Sequence, residues 1–302
     1  KNDEKIKLKL VHTYGVVEAA QEIAFRKGLS DEQIDLAGLI ALLHDIGRFE
    51  QVKQYDSFEP SLMDHAAYGV KLLFEDGMIR DYIADARYDE IIKEAIRRHS
   101  DYELTGELSP EALLQARIIR DADKLDNCRV KLEEKVENLI GMAAEEIAGL
   151  RPTQKVLLSI GSLSSVKSAD RENKLDYWVS YLAYFYDINF KESFEMIKEG
   201  DFINRIIDRI DYSDPVTRAQ MELIRTKLHE YMEHKLKGNV NPLDSYVPEL
   251  LALSEEEMKA SSETEEEKED KKEEEEEMKE EENRIAQEER AFESFIRGVI
   301  LE

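Results

Sequence analysis

The chain has 302 residues and a formal net charge of −26, with 68 acidic against 42 basic side chains. This charge argues against binding to nucleic acid or anionic lipid through the general surface, although it leaves room for a local basic pocket. Cys128 is the only cysteine, which excludes a disulfide framework and a cysteine metal cluster. No apolar run approaches the roughly 18 residues that span a bilayer, so we expect a cytoplasmic protein that does not enter membranes.

Apolar residues recur at helical spacing along the chain and no alternating strand pattern of any length is present, which predicts an all-α fold. The first predicted helix covers about residues 6–24 and stops before Gly28. The second is capped by Ser30 and runs into the pair His44-Asp45. By itself this pair is weak evidence for a metal site, and the other histidines of the chain strengthen it.

The next elements follow from breakers and caps. Gly47 is expected to break the second helix, and residues 48–60 are expected to form a loop. A third helix is predicted over residues 61–76 and a fourth over residues 88–99. A fifth helix begins with Pro110 at its first position and continues beyond Asp123.

The pattern stays helical after residue 152, with further helices predicted over residues 201–210 and 215–237. An aromatic stripe precedes them, and such a stripe is typical of core packing, with a ligand platform as the alternative. Its members are Tyr177, Trp178, Tyr181, Tyr184, Phe185, Tyr186 and Phe190. The cluster Gly238–Pro242 is the clearest boundary signal in the chain.

These patterns predict three parts: a helical core at residues 1–150, a helical extension packed on it at 151–240, and an acidic tail at 241–302. Residues 255–282 are dominated by glutamate and have almost no apolar side chains, so they cannot form a core of their own. A short amphipathic helix is predicted at the end of the tail. Three roles stay open for the tail: a solvated arm, binding to a basic partner, or covering the chain's own pocket.

The sequence contains six histidines. Four of them fall on the first four predicted helices, and helices of a bundle can project such side chains into a shared site. Because imidazole and carboxylate together suit transition metals better than Mg²⁺ or Ca²⁺, the set predicts a metal centre. Adjacent residues on a helix point about 100° apart, so an aspartate beside a histidine can lie between two ions. The candidate ligands are His12, His44, Asp45, His65, His99 and Asp123.

Five segments, at residues 11–17, 44–48, 64–69, 96–99 and 121–126, resemble the HD-domain superfamily of metal-dependent phosphohydrolases, in its HDIG-type, dinuclear variant. The resemblance implies an HD-domain helical bundle, here with additional C-terminal helices. It also implies two divalent transition-metal ions, from among Mn, Fe, Co, Ni and Zn. By this likeness Asp45 bridges the ions, His12, His44 and Asp123 hold one, and His65 and His99 hold the other. Asp123 is preferred to Asp121 because it stands in the Ala-Asp-basic-Leu setting of the family ligand.

The resemblance also implies hydrolysis of a phosphoester or phosphodiester, with a nucleotide or cyclic nucleotide as the expected substrate. Catalytic roles are expected for Asp45, for Arg48, which resembles the basic residue that follows the ligand pair in the family, and for Lys124. Nucleic acid is expected only as a short oligonucleotide substrate. Two alternatives stay open: an HD-fold mixed-valent di-iron oxygenase, and a non-catalytic interaction protein with a structural metal site.

Overall fold

A computed structural model describes residues 3–239 and 241–262, and these residues form helices without a strand. The predicted all-α class is therefore confirmed. In chain order the α-helices are α1 (Asp3–Arg26), α2 (Asp31–Leu43), α3 (Ile46–Tyr55), α4 (His65–Val70), α5 (Asp89–Arg98), α6 (Pro110–Glu133), α7 (Val136–Ile140), α8 (Ala144–Ala148), α9 (Gln154–Gly161), α10 (Lys174–Ala183), α11 (Lys191–Glu199), α12 (Phe202–Ile207), α13 (Pro215–Leu236) and α14 (Val247–Ser262). Across these described ranges, no helix is long and apolar enough to cross a membrane.

Helix α6 contacts α1, α2 and α5, and α4 packs against α3 and α5. Two of the predicted helix starts have the expected caps. The Ser30 hydroxyl accepts a hydrogen bond from the backbone N–H of Gln33 at the start of α2, and Ser109 does the same for Ala112 at the start of α6. These caps define the residues at which α2 and α6 begin.

The predicted helix break at Gly47 is wrong, and so is most of the predicted loop over residues 48–60. Helix α2 ends at Leu43, a turn holds His44 and Asp45, and α3 then runs through Gly47. A Cβ atom at Gly47 would lie 2.1 Å from the backbone oxygen of His65. Glycine is needed here because α3 and α4 touch, and not because a helix stops.

The predicted third helix is also shorter than expected. Residues 60–62 form a 3₁₀ turn, and α4 begins only at His65, where the Asp64 carboxylate accepts a hydrogen bond from the backbone N–H of Ala67 at 2.9 Å. A π-helical turn over Lys71–Glu75 then continues α4. This cap holds His65 in the first turn of α4, at the contact with α3.

Helices α11 and α12 pack against α6, so the part of the chain after residue 152 shares the core of the preceding helices. The aromatic stripe divides into two groups. Trp178, Phe185 and Tyr186 are buried in the core, as predicted, whereas Tyr181 and Tyr184 line a cavity. Helix α10 and the 3₁₀ turn that follows it therefore contribute side chains both to the hydrophobic core and to the lining of the cavity.

The chain divides into a compact unit, Lys1–Leu251, and a second unit, Ala252–Glu302. The boundaries predicted near residues 150 and 240 stay predictions. The greater part of the acidic run, and the amphipathic helix predicted at the end of the tail, lie outside the described residues.

Candidate metal centre

The six candidate ligands come from five different parts of the bundle. His12 lies on α1, His44 and Asp45 in the turn between α2 and α3, His65 at the start of α4, and His99 directly after α5. These five side chains are buried, and the sixth, Asp123 on α6, is partly exposed towards a cavity. The structure thus brings all six predicted ligand positions to one place.

The two carboxylate oxygens of Asp45 face different histidines. Its Oδ2 atom lies 3.2 Å from His44 Nε2 and 4.0 Å from His12 Nε2. Its Oδ1 atom lies 3.2 Å from His65 Nε2 and 3.5 Å from His99 Nε2. Asp45 therefore stands between two pairs of imidazoles, with one oxygen for each pair.

Asp123 completes the side of the centre nearer to α1. Its Oδ1 atom lies 3.1 Å from His12 Nε2 and 3.9 Å from His44 Nε2. Two overlapping triads have ligand atoms that all lie within 4.8 Å of one another: one of His12, His44 and Asp123, and one of His44, Asp45 and His99. Asp121, two residues earlier, instead accepts hydrogen bonds from Asn189 and Ser193, away from the centre.

Three of the histidines are oriented by a partner on the other ring nitrogen. His44 Nδ1 lies 2.7 Å from the carbonyl oxygen of Ala41, and His99 Nδ1 lies 2.7 Å from that of Ile96. Because a carbonyl only accepts hydrogen bonds, Nδ1 must carry the proton, which leaves the Nε2 lone pair facing the centre. Such partners are typical of histidines that bind metals.

The third orienting partner is a carboxylate that sequence reasoning missed. Asp126 Oδ2 lies 2.6 Å from His12 Nδ1, and Asp126 Oδ1 accepts a hydrogen bond of 2.6 Å from Arg129 Nε. A Cβ atom at Gly15 would lie 1.8 Å from Asp126 Oδ1, so Gly15 makes room for this carboxylate against α1. The signal was present in the sequence, since Asp126 follows Asp123 by three residues and Gly15 follows His12 by three.

Lys9 is a second residue that the sequence analysis missed. Its ammonium group forms an ion pair with Asp45 Oδ2. Burial raises the pKa of the Asp45 carboxyl, but opposing effects, led by the charge of Lys9, outweigh it and hold the pKa well below its usual range. Burial lowers the pKa of His44, and it lowers that of His65 to about 4. The carboxylate is therefore charged and these imidazoles are neutral near pH 7, which are the forms that bind metals.

Unpartnered polar atoms show that the donor set fits divalent transition-metal ions. Within residues 3–239 and 241–262, His12 Nε2, His44 Nε2 and Asp45 Oδ1 are buried and have no hydrogen-bond partner. Buried polar atoms without a partner are costly, and here they converge. The Nε2 atoms of His65 and His99 also lie only 3.1 Å apart. A mixed set of imidazole and carboxylate donors is what such cations prefer.

The two predicted cationic residues differ in their surroundings. Arg48 Nε lies 3.6 Å from Asp45 Oδ1, and its guanidinium donates hydrogen bonds to Gln51 and to the carbonyl oxygen of Phe58. Lys124 also lines the cavity, but its ammonium group lies 2.9 Å from Asp187 Oδ2. Arg48 is therefore held beside the ligands, while the charge of Lys124 is shared with a carboxylate.

The fold and this centre define a helical protein with a buried histidine and aspartate cluster that can hold metal. Residues 10–128 match the family model described as HD domain, and this segment contains all six candidate ligands. The match supports the HD superfamily, whose members are generally metal-dependent hydrolases. No curated protein and no solved structure matches the chain.

Proposed function

We propose that this chain is a metal-dependent phosphohydrolase of the HDIG-type, dinuclear variant, acting on a phosphoester or phosphodiester of a nucleotide or cyclic nucleotide. The observation that carries the proposal is the position of Asp45. One of its oxygens faces His12 and His44, and the other faces His65 and His99. A carboxylate between two groups of histidine ligands is an arrangement suited to holding a pair of cations.

The chain's own residues have distinct tasks in this proposal. Two divalent ions, when bound, would polarise phosphoryl oxygens and lower the pKa of water. Asp126 and the carbonyl oxygens behind His44 and His99 hold the imidazoles in the ligand tautomer. Arg48, fixed by Gln51, presents a positive charge next to Asp45 and is suited to stabilise negative charge on the phosphoryl group. Lys124 is less suited to this role because its ammonium group is paired with Asp187.

The charge of the cavity supports an anionic substrate. Its volume is about 590 Å³, and its lining includes eight lysine and arginine side chains against four aspartates. Two of these aspartates, Asp45 and Asp123, belong to the candidate ligand set. The rest of the lining is thus basic, in a chain whose net charge is −26. A basic cleft in an acidic protein attracts anions to that point of the surface.

The test is turnover of bis(p-nitrophenyl) phosphate by protein that has been stripped with a chelator and reloaded with Mn²⁺ in oxygen-free buffer. We expect hydrolysis that depends on added metal and is lost in Asp45→Asn. The matched control is Asp31→Asn, which changes an exposed aspartate at the start of α2 and should retain full turnover.

The same experiment separates the alternatives. Turnover without oxygen contradicts the di-iron oxygenase. Stoichiometric metal binding without hydrolysis of this diester, of nucleotides or of cyclic nucleotides contradicts the phosphohydrolase and favours a structural metal site.

A further inference from the structure

The cavity extends well beyond the candidate metal centre, along one face of α6. Asp123, Asn127 and Lys131 succeed each other at intervals of four residues, and all three line the cavity. Because an α-helix rises 1.5 Å per residue, Lys131 lies about 12 Å further along α6 than Asp123. The two backbone positions are therefore farther apart than a single phosphate group extends. We call the end of the cavity around Lys131 the far end.

Lys131 is the central residue of the far end. It is only 6% exposed, and it has no carboxylate within ion-pair distance in the part of the chain that the structure describes. Its ammonium group instead lies 4.2 Å from the centre of the Tyr181 ring. A buried charge without a counter-charge is costly unless something else pairs with it. An anion in the cavity would supply that pair.

Two further cations, Lys167 and Arg171, line the cavity, both from the segment between α9 and α10. Lys167 Nζ lies 5.3 Å from the centre of the Tyr102 ring. The Arg171 guanidinium lies 4.6 Å from the Tyr177 ring. Neither has a carboxylate within ion-pair distance among the described residues. The cavity therefore contains three cations, Lys131, Lys167 and Arg171, whose charges are not neutralised by neighbouring acids.

Aromatic rings flank these cations. Tyr181 and Tyr184 line the cavity with their ring centres 5.4 Å apart and their planes at 84°. The Tyr102 hydroxyl donates a hydrogen bond of 2.9 Å to the carbonyl oxygen of Ser165, which ties the segment after α9 to the loop after α5. Tyrosine rings beside cations are suited to stack against a nucleobase whose phosphate pairs with the cations.

We propose that the far end is a second anion-binding subsite, which takes a phosphate group and the adjoining nucleobase of an extended substrate. The substrate class is then a nucleotide with two separated phosphate groups, one at each end of the cavity, and not a mononucleotide with one. The assignment of the first phosphate to the metal centre rests on the proposed function. The subsite itself rests on Lys131, Arg171, Tyr181 and Tyr184.

Metal-free protein tests the subsite independently of catalysis. The probe is adenosine 5′-monophosphate, titrated by calorimetry into chelator-treated protein, with adenosine as the uncharged comparison. We expect the monophosphate to bind at least about tenfold more tightly than adenosine, since a charged hydrogen bond contributes about 1.5–3 kcal/mol. Equal affinity for the two compounds, or no binding of either, would overturn the proposal.

Variants locate the binding. Lys131→Met removes the charge and keeps an apolar stem, so we expect a loss of about tenfold or more. Lys131→Arg restores the cation and should restore most of the affinity, which excludes a general folding defect. Arg171→Met tests the same subsite from a partly exposed position. Lys135→Met is the matched control, because Lys135 is exposed and lies outside the cavity lining.

The second arm uses metal-loaded protein and adenosine 3′,5′-bisphosphate. We expect Lys131→Met to raise KM for this compound by about tenfold, as a lost charge pair predicts. An unchanged KM contradicts the second subsite. Absence of any hydrolysis by the wild type contradicts the proposed function instead, while the calorimetric result still decides the subsite. The two failures are therefore distinguishable.

Discussion

The contact between Asp126 and His12 gives the sharpest test of how the metal centre is built. Asp126 accepts the Nδ1 proton of His12 at 2.6 Å and does not itself face the other ligands. Asp126→Asn preserves shape and removes the negative charge, so it weakens the orientation and the basicity of one ligand without deleting it. Asp126 is in this sense a positioning residue, and its effect should appear in metal affinity.

The expected loss of metal affinity can be taken from other metal-bound histidines that lose their hydrogen-bond partner. Loss of a partner behind a metal-bound histidine costs about 10–100-fold in metal affinity, which corresponds to about 1.4–2.8 kcal/mol. The assay is competition for Mn²⁺ or Zn²⁺ against a chromophoric chelator, with circular dichroism to confirm helical content. A metal affinity equal to that of the wild type, in a folded variant, would refute the reasoning.

Two companion variants make the result specific. Asp121→Asn changes another buried carboxylate on α6, but Asp121 accepts hydrogen bonds from Asn189 and Ser193 and not from a ligand. It should lower the free energy of unfolding and leave metal affinity within about threefold, the scatter expected for an indirect effect. Gly15→Ala would place a Cβ atom against Asp126 and should reproduce the loss seen in Asp126→Asn.

Three further predictions concern other parts of the same region. Gly47→Ala should lower the free energy of unfolding by about 1–3 kcal/mol, measured by urea titration, because the new Cβ meets the backbone oxygen of His65. Lys9→Met should destabilise metal-free protein and tighten Mn²⁺ binding, because the lysine pairs with Asp45 and repels cations; thermal melts with and without metal distinguish these effects. Burial raises the pKa of the Cys128 thiol to about 12, so at pH 8 the thiol stays protonated. Cys128 should react with a chromogenic disulfide reagent only after the chain is unfolded in urea, and rapid reaction without urea would contradict its burial.

Much of the fold was accessible from local signals in the sequence. The start of α2 was predicted from Ser30 as an N-cap and that of α6 from Pro110 at the first helical position, and the structure has both. The error at Gly47 has a different origin. Local rules treat glycine as a helix breaker, whereas here its lack of a side chain serves a contact with α4, eighteen residues away in the chain. A contact between helices leaves no trace in the local pattern.

In the candidate site, too, some features were visible in the sequence and others depend on contacts between distant residues. The candidate ligands could be found because their residue types and their distribution over separate helices are visible in the sequence. Lys9 could not, since a lysine near the start of a helix is an ordinary surface residue until Asp45 is placed beside it. The far end of the cavity depends on Lys131 meeting Tyr181, fifty residues later, which no spacing predicts. Long-range pairs of this kind need the assembled fold.

Helix α6 links the metal centre, the packing of the bundle and the far end of the cavity. Asp123 faces the other ligands, while Asp126 faces α1 and orients His12 across the same helix pair that forms part of the core. Metal affinity and the packing of α1 on α6 are therefore coupled.

Lys131 lies further along the face of α6 that lines the cavity. Because both ends of the cavity belong to one helix, their separation is set by helical rise and not by a loop. Under the proposed two-phosphate recognition, that rigid spacing selects substrates by length.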